Sequence, residues 1–367
     1  MTVFPNIKRT YMGWSQHNED AYHFFNRSAQ PKFTAVRNRI EEWFAAYPER
    51  EKKALRNKFP KKFNDAFFEL YLHQLFLNMG FNIEIEPEVS NKTKPDFLLE
   101  KDGYKFYVEA KFIDGESKKG KGVNKQLNSL FDQINALDLG NYYLCIEKLD
   151  INVDHTPSSK KLIKYIKRSV PEDGNEVREL KIDNDEIYFK GSLNYYEGKS
   201  LFKGADSFTI GFYPPTPANY PAAKFKDKIS KKGKKYGELE HPLLICVGFN
   251  LAHILNDEYF EKVLFGGQVI SAPKHSDGHV DFNAAKIKRV NKGLFWDNKG
   301  IRTSRASAIL FTHITPNGSM GYRLYAHPEP NKKMDFKYFP IKRMAFVKDE
   351  LKEIEGKELS SFVEFQK

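Results

Sequence analysis

Apolar residues recur along the chain with three different periods, and each period predicts a different element. Over 104–112, Phe106, Val108, Ala110 and Phe112 alternate with Tyr107, Glu109 and Lys111, which is the period of a strand. Over 63–79 the chain is apolar nearly all round, which predicts a buried helix with Gly80 as its C-terminal cap. Over 33–46, Val36, Ile40, Trp43 and Phe44 fall at helical spacing, Tyr47-Pro48 ends that helix, and 49–59 reads as another. The unbroken apolar run 242–249 predicts a strand buried on both faces, and 306–311 and 322–325 are further strand signals. A helix over 125–137 followed by a strand over 142–146 implies a crossover and a mixed sheet. Strand signals at 187–189 and 208–212, a lysine-striped helix near 160–168 and a proline-rich stretch at 213–217 read as an insertion suited to substrate binding. The expected fold class is α/β: a mixed sheet flanked by helices, organised as an N-terminal helical segment (1–58), a core (59–150), an insertion (151–223) and the remainder of the core (224–367).

Candidate chemistry sits on one hairpin. The strand-like runs 97–99 and 104–108 flank Asp102-Gly103, a turn signal. If Glu100 pairs with Lys105, Asp96 falls directly opposite Glu109. Two facing carboxylates repel, by roughly 3 kcal/mol at about 5 Å and an effective dielectric near 20. A compensating cation is expected, and oxygen ligands suit Mg²⁺, with Mn²⁺ as a substitute. Asp96 and Glu109 are the expected ligands, with the Ala110 carbonyl beside them. Lys111 shares the alternation of Glu109, where an ammonium can orient a metal-activated water or stabilise a phosphate. Glu69, in the middle of the apolar helix, needs a partner; the metal site, directly or through water, and His73 one turn on are the candidates.

With Glu69 on the leading helix, Pro95-Asp96 on one strand and Glu109-Ala110-Lys111 on the next, 60–150 resembles the PD-(D/E)xK nuclease superfamily. The resemblance implies a restriction-endonuclease-like fold and a metal-dependent phosphodiesterase acting on DNA, of restriction or anti-phage type, with Glu69, Asp96, Glu109 and Lys111 as catalytic residues. It also draws attention to Gln126, where related nucleases carry a polar helper.

Charge sharpens the expected partner. The 367 residues include 59 Lys and Arg against 48 Asp and Glu, a net charge of +11 that favours a polyanion, nucleic acid first. Two basic stretches are the candidate phosphate contacts. One is a predicted glycine-containing loop with Lys118, Lys119 and Lys121, leading into Lys125. The other is the run 224–235 with seven lysines, among them Lys231, Lys232, Lys234 and Lys235. Arg302 and Arg305 are further candidate phosphate clamps. The 31 phenylalanines and 19 tyrosines suit a large core with rings left for base stacking. Cys145 and Cys246, isolated in apolar runs, read as core thiols of a reducing compartment. No GxxxxGK[ST] loop or CxxC pair occurs, which argues against an NTP-driven motor and a zinc finger. His275 and His279, in a Gly/Asp loop, read as exposed. No run approaches the roughly 20 apolar residues of a membrane span, and Met1–Arg9 lacks the apolar core of a signal peptide, so a cytoplasmic chain is expected. Candidate protein partners are a second copy or a separate defence subunit. The competing functional class is a non-catalytic nucleic-acid-binding module on the same fold. RNA and branched DNA stay open as substrates.

Overall fold

The computed structural model describes residues 1–13, 15–16, 18–113, 118–151, 159–172, 176–197, 210–212, 222–249, 257–276, 278–290, 292–297, 299–316, 318, 320–347 and 350–363. Helices α1 (Ala21–Arg27), α2 (Pro31–Ala45), α3 (Glu49–Lys58) and α4 (Phe63–Asn78) precede strands β1 (Asn82–Ile85), β2 (Phe97–Lys101) and β3 (Tyr104–Ile113). Then come α5 (Lys118–Asn135), β4 (Tyr142–Ile151), α6 (Ser159–Arg168), β5 (Arg178–Asp183), β6 (Ile187–Tyr195) and β7 (Ile210–Phe212). The chain continues with α7 (Ala222–Lys234), β8 (Leu243–Phe249), α8 (Asp257–Phe265), β9 (Gly267–Ser271) and β10 (Lys286–Val290). It closes with β11 (Trp296–Asp297), β12 (Gly300–Ile301), β13 (Ala306–Ile314), β14 (Met320–Ala326), β15 (Arg343–Val347) and β16 (Glu350–Ile354).

These elements form two compact units. The first comprises 1–4, 38–115 and 219–367, and the second 5–37 and 116–218. The first holds an eight-stranded mixed sheet in the order β1-β2-β3-β8-β13-β14-β15-β16. β3, β8 and β13 run parallel at its centre; the pairs outside them are antiparallel except β14 with β15, which is parallel. Every residue of β8 and β13 is buried, as expected for central strands covered on both faces. α4 packs its rings on one face, Phe68 against Phe112 and Phe76 against Phe106. α7 and α8 cover the other, where Phe225, Ile229 and Phe260 join Tyr107, Ile245 and Phe311 in one core. Gly248 of β8 is required by this packing, since a Cβ there would lie 2.7 Å from Phe112 and 2.9 Å from Phe68.

The second unit has its own four-stranded sheet, in the order β5-β6-β4-β7, and a core built with Leu130, Ile134, Leu162 and Ile166 of α5 and α6. This corrects the sequence reading of 142–146: β4 pairs with β6 and β7, not with the core sheet. Strand periodicity shows that a segment is extended but not which sheet it joins. The expected loop over 114–124 is also corrected, because α5 already begins at Lys118. Among the described residues, no helix is long and apolar enough to cross a membrane.

Candidate active site

The hairpin register decides the site. Asp102 and Gly103 both have positive φ, 50° and 78°, as a two-residue turn of the right twist requires. Glu100 therefore pairs with Lys105 and Phe97 with Val108. Continued by one residue, that register sets Asp96 opposite Glu109. An Asp96 Oδ atom accepts a 2.6 Å hydrogen bond from the Ala110 amide. Ala110 thus contributes its N–H to Asp96.

Glu109 is fully buried. The alternation along β3 separates two faces as expected, but the Glu109 face is covered by the α7–α8 core and not by solvent. Both Glu109 oxygens are occupied from the α7 side. Lys232 Nζ donates to Oε1 and the hydroxyl of buried Tyr236 donates to Oε2. Even so, burial and then the negative charge of Asp96 push the Glu109 pKa up to about 7, against the pull of Lys232. Burial raises Asp96 as well, opposed by Lys232 and the Ala110 amide. These are the marks of two carboxylates sharing one pocket with too little positive charge.

Glu69 lies next to this pair but is bonded elsewhere. Its Oε1 accepts from Tyr47 Oη at 3.0 Å, and its Oε2 from Lys58 Nζ. The expected Glu69 ligand is therefore engaged with the N-terminal helices, and its negative charge reaches Asp96 only through space. His73, the alternative partner, instead packs its ring on Tyr47 at 4.7 Å, and burial pulls its pKa down to about 4. Lys111 is one-third exposed, with Nζ 4.0 Å from Asp65 of α4. Among the described residues, no three His, Cys, Asp or Glu side chains gather into a group able to hold a metal ion. What the site offers is a buried glutamate and a half-buried aspartate, with a lysine at the glutamate. That donor set fits Mg²⁺, which is commonly held by one or two carboxylates together with water and substrate phosphate.

The basic stretches resolve differently. α7 carries the run from Lys224 to Lys234, with Lys235 just past its end, but burial of Phe225 and Ile229 anchors it to the sheet. Lys232 faces inward to Glu109, which corrects its assignment as a phosphate contact, while Lys231 and Lys235 stay exposed. The side chains of Lys118, Lys119, Lys121, Lys125, Gln126 and Lys234 lie outside the described residues. His275 and His279 are exposed, as expected. Both cysteines are free thiols, Cys246 buried. Lys58, Tyr47 and Tyr236 had no signal in the sequence: each is a common residue whose role exists only through a contact made across the fold.

Comparison with family models, with curated proteins and with solved structures gives no match for this chain.

Proposed function

We propose that the chain is a Mg²⁺-dependent endonuclease that hydrolyses phosphodiester bonds in DNA, on a sheet of the restriction-endonuclease-like kind. The observation that carries this reading is the hairpin register, which opposes half-buried Asp96 to buried Glu109 at a place where burial first, and for Glu109 then the charge of Asp96, raises the carboxyl pKa. A buried carboxylate facing a like charge is costly. Such groups gather where a substrate or cation needs them, so a strongly perturbed pair is a functional-site candidate. Asp96 and Glu109 would hold the cation, which supplies a water of lowered pKa and a Lewis acid for the phosphate. The Ala110 amide fixes the orientation of Asp96. Lys232 and Tyr236 hold Glu109 in place when no cation is there. Lys111, one-third exposed and only 4.0 Å from Asp65, would turn to a phosphate at the site. The net charge of +11 supports a polyanionic substrate. Restriction or anti-phage defence is the biological setting that the motif order suggests.

Incubation of the protein with plasmid and phage DNA in Mg²⁺ or EDTA tests this. Cutting in Mg²⁺ alone is expected. Lys111→Ala is expected to bind DNA in Ca²⁺ nearly as the parent does, yet to cut about 10²–10³ times more slowly, the usual loss of one electrostatic stabiliser. Parental cutting by Lys111→Ala would move the reading to a nucleic-acid-binding module whose acids serve structure.

A further inference from the structure

Arg302 and Arg305 take no part in the acid pair, yet they line a cavity of about 600 Å³ within the first unit. That volume is in the range of small-molecule sites, roughly 300–1,000 Å³. Its two walls are α7, through Lys226, Ile229 and Ser230, and the segment from Lys292 to Ala306. Ile245 of β8 and Ile309 of β13 form an apolar floor.

The cavity is built and not a gap between loops. Leu294 and Phe295 donate backbone hydrogen bonds to Val263 and Leu264 at the end of α8, at 3.0 and 2.7 Å. This close approach depends on Gly293, whose added Cβ would meet the Leu264 carbonyl oxygen at 2.1 Å. Across the cavity, Lys226 Nζ donates to the Lys292 carbonyl and ties α7 to the strap.

The lining is divided by chemistry. Lys226, Lys292, Arg302 and Arg305 set four cations around it against the single acid Asp227. Arg302 stands 3.6 Å from Asp297, too loose for a tight pair, and its side chain is 44% exposed. Two arginines in one cavity favour a phosphate, because the planar guanidinium forks onto two of its oxygens. The apolar side of the lining is half-buried Leu294, with the buried Ile229, Ile245 and Ile309 behind it. Thr303, Ser304 and Asn331 add uncharged polar groups to the lining.

We propose that this cavity binds a nucleoside phosphate, with the phosphate on the arginines and the base against Leu294. The unit bound is either a free mononucleotide or one nucleotide of a strand drawn out of its stack. This goes beyond the nuclease reading and does not need it: the cavity lies on α7 and β8 and shares no lining residue with Asp96, Glu109 or Lys111.

Calorimetric titration of the full chain in EDTA with AMP, CMP, adenosine and inorganic phosphate tests the proposal. Saturable binding of at least one mononucleotide is expected, at least tenfold tighter than adenosine or phosphate. Lys292→Glu/Arg302→Glu, two exposed positions, should weaken it about tenfold to a hundredfold, the loss of one or two charge-assisted hydrogen bonds, with an unchanged melting temperature. A duplex carrying 2-aminopurine distinguishes the source. A rise in its emission that the double variant loses identifies a nucleotide of a strand, and mononucleotide binding without that rise identifies a free ligand. The proposal is overturned if neither mononucleotides nor the labelled duplex respond, if phosphate binds as tightly as the nucleotide, or if the double variant binds unchanged. Cleavage in Mg²⁺ is read separately, so failure here leaves the nuclease reading standing.

Discussion

Two glutamates on opposite faces of the core sheet each meet one lysine and one tyrosine. Glu69 of α4 is held by Lys58 and Tyr47, and Glu109 of β3 by Lys232 and Tyr236. The partner chemistry is the same, but the settings differ. The Glu69 side chain keeps 17% of its exposure and the Glu109 side chain 1%. Glu109 also faces Asp96 across the hairpin, and its pKa rises to about 7 despite its lysine. A lysine and a tyrosine therefore do not make two glutamates equivalent. Depth and a neighbouring like charge set Glu109 apart and make it the proposed cation ligand.

The largest expected difference between the two is in activity. Glu109→Gln removes a ligand from the proposed cation site, and loss of several kcal/mol of charge stabilisation corresponds to about 10³-fold or more in cleavage rate. Glu69→Gln acts at one remove and is expected to lose about 10–100-fold, the usual cost of an outer-shell partner. Equal losses in a plasmid-cutting assay would erase the distinction.

The next effect is on stability against pH, without metal. Burial and Asp96 raise the Glu109 pKa from 4.5 to about 7. Between those values the folded chain holds a proton that the unfolded chain has released, so stability is full below pH 4.5 and is lost as pH rises towards 7. The expected loss is roughly 3 kcal/mol. Chemical unfolding in EDTA at pH 5 and pH 8 should show the decline in the parent. Glu109→Gln should flatten it, whereas Glu69→Gln, which keeps Glu109, should retain it. A parent that is equally stable at both pH values contradicts the buried, charge-starved setting.

A smaller effect probes the packing that presents Glu109. Gly248→Ala puts a methyl group against Phe112 and Phe68, between β8 and α4. Overpacking of this kind costs about 1–3 kcal/mol, read as a lower urea midpoint. A midpoint equal to the parent's would show that the aromatic layer on the Glu69 face yields easily.

The smallest effect separates the lysines at the end of α7 and just past it. Lys231→Ala and Lys235→Ala, both at exposed positions, should each lower the slope of log affinity against log salt on duplex DNA by about 0.9. Lys232→Ala should leave that slope as it is, because its ammonium is committed to Glu109. A fall in slope for Lys232→Ala would return it to the phosphate-contacting set.

Much of this architecture is legible one residue after another, because it is local. The period along 104–112, the Asp102-Gly103 turn and the apolar helix ending at Gly80 each depend on neighbours a few positions away. The structure has each of them where the sequence predicts it. The turn chemistry even carries the register that opposes Asp96 and Glu109, since a two-residue turn leaves one pairing. The partners of the acids are not local. Lys232 and Tyr236 lie more than 120 residues from Glu109, and nothing in a lysine-rich run marks which lysine turns inward. Sheet membership is equally hidden: 142–151 has the pattern of a strand, but only the pairing with β6 and β7 assigns it to the second sheet. Periodicity follows from the geometry of one backbone and so can be read from the sequence alone. Burial, charge compensation and the raised pKa of Glu109 follow from what packs against it, which only the tertiary structure decides.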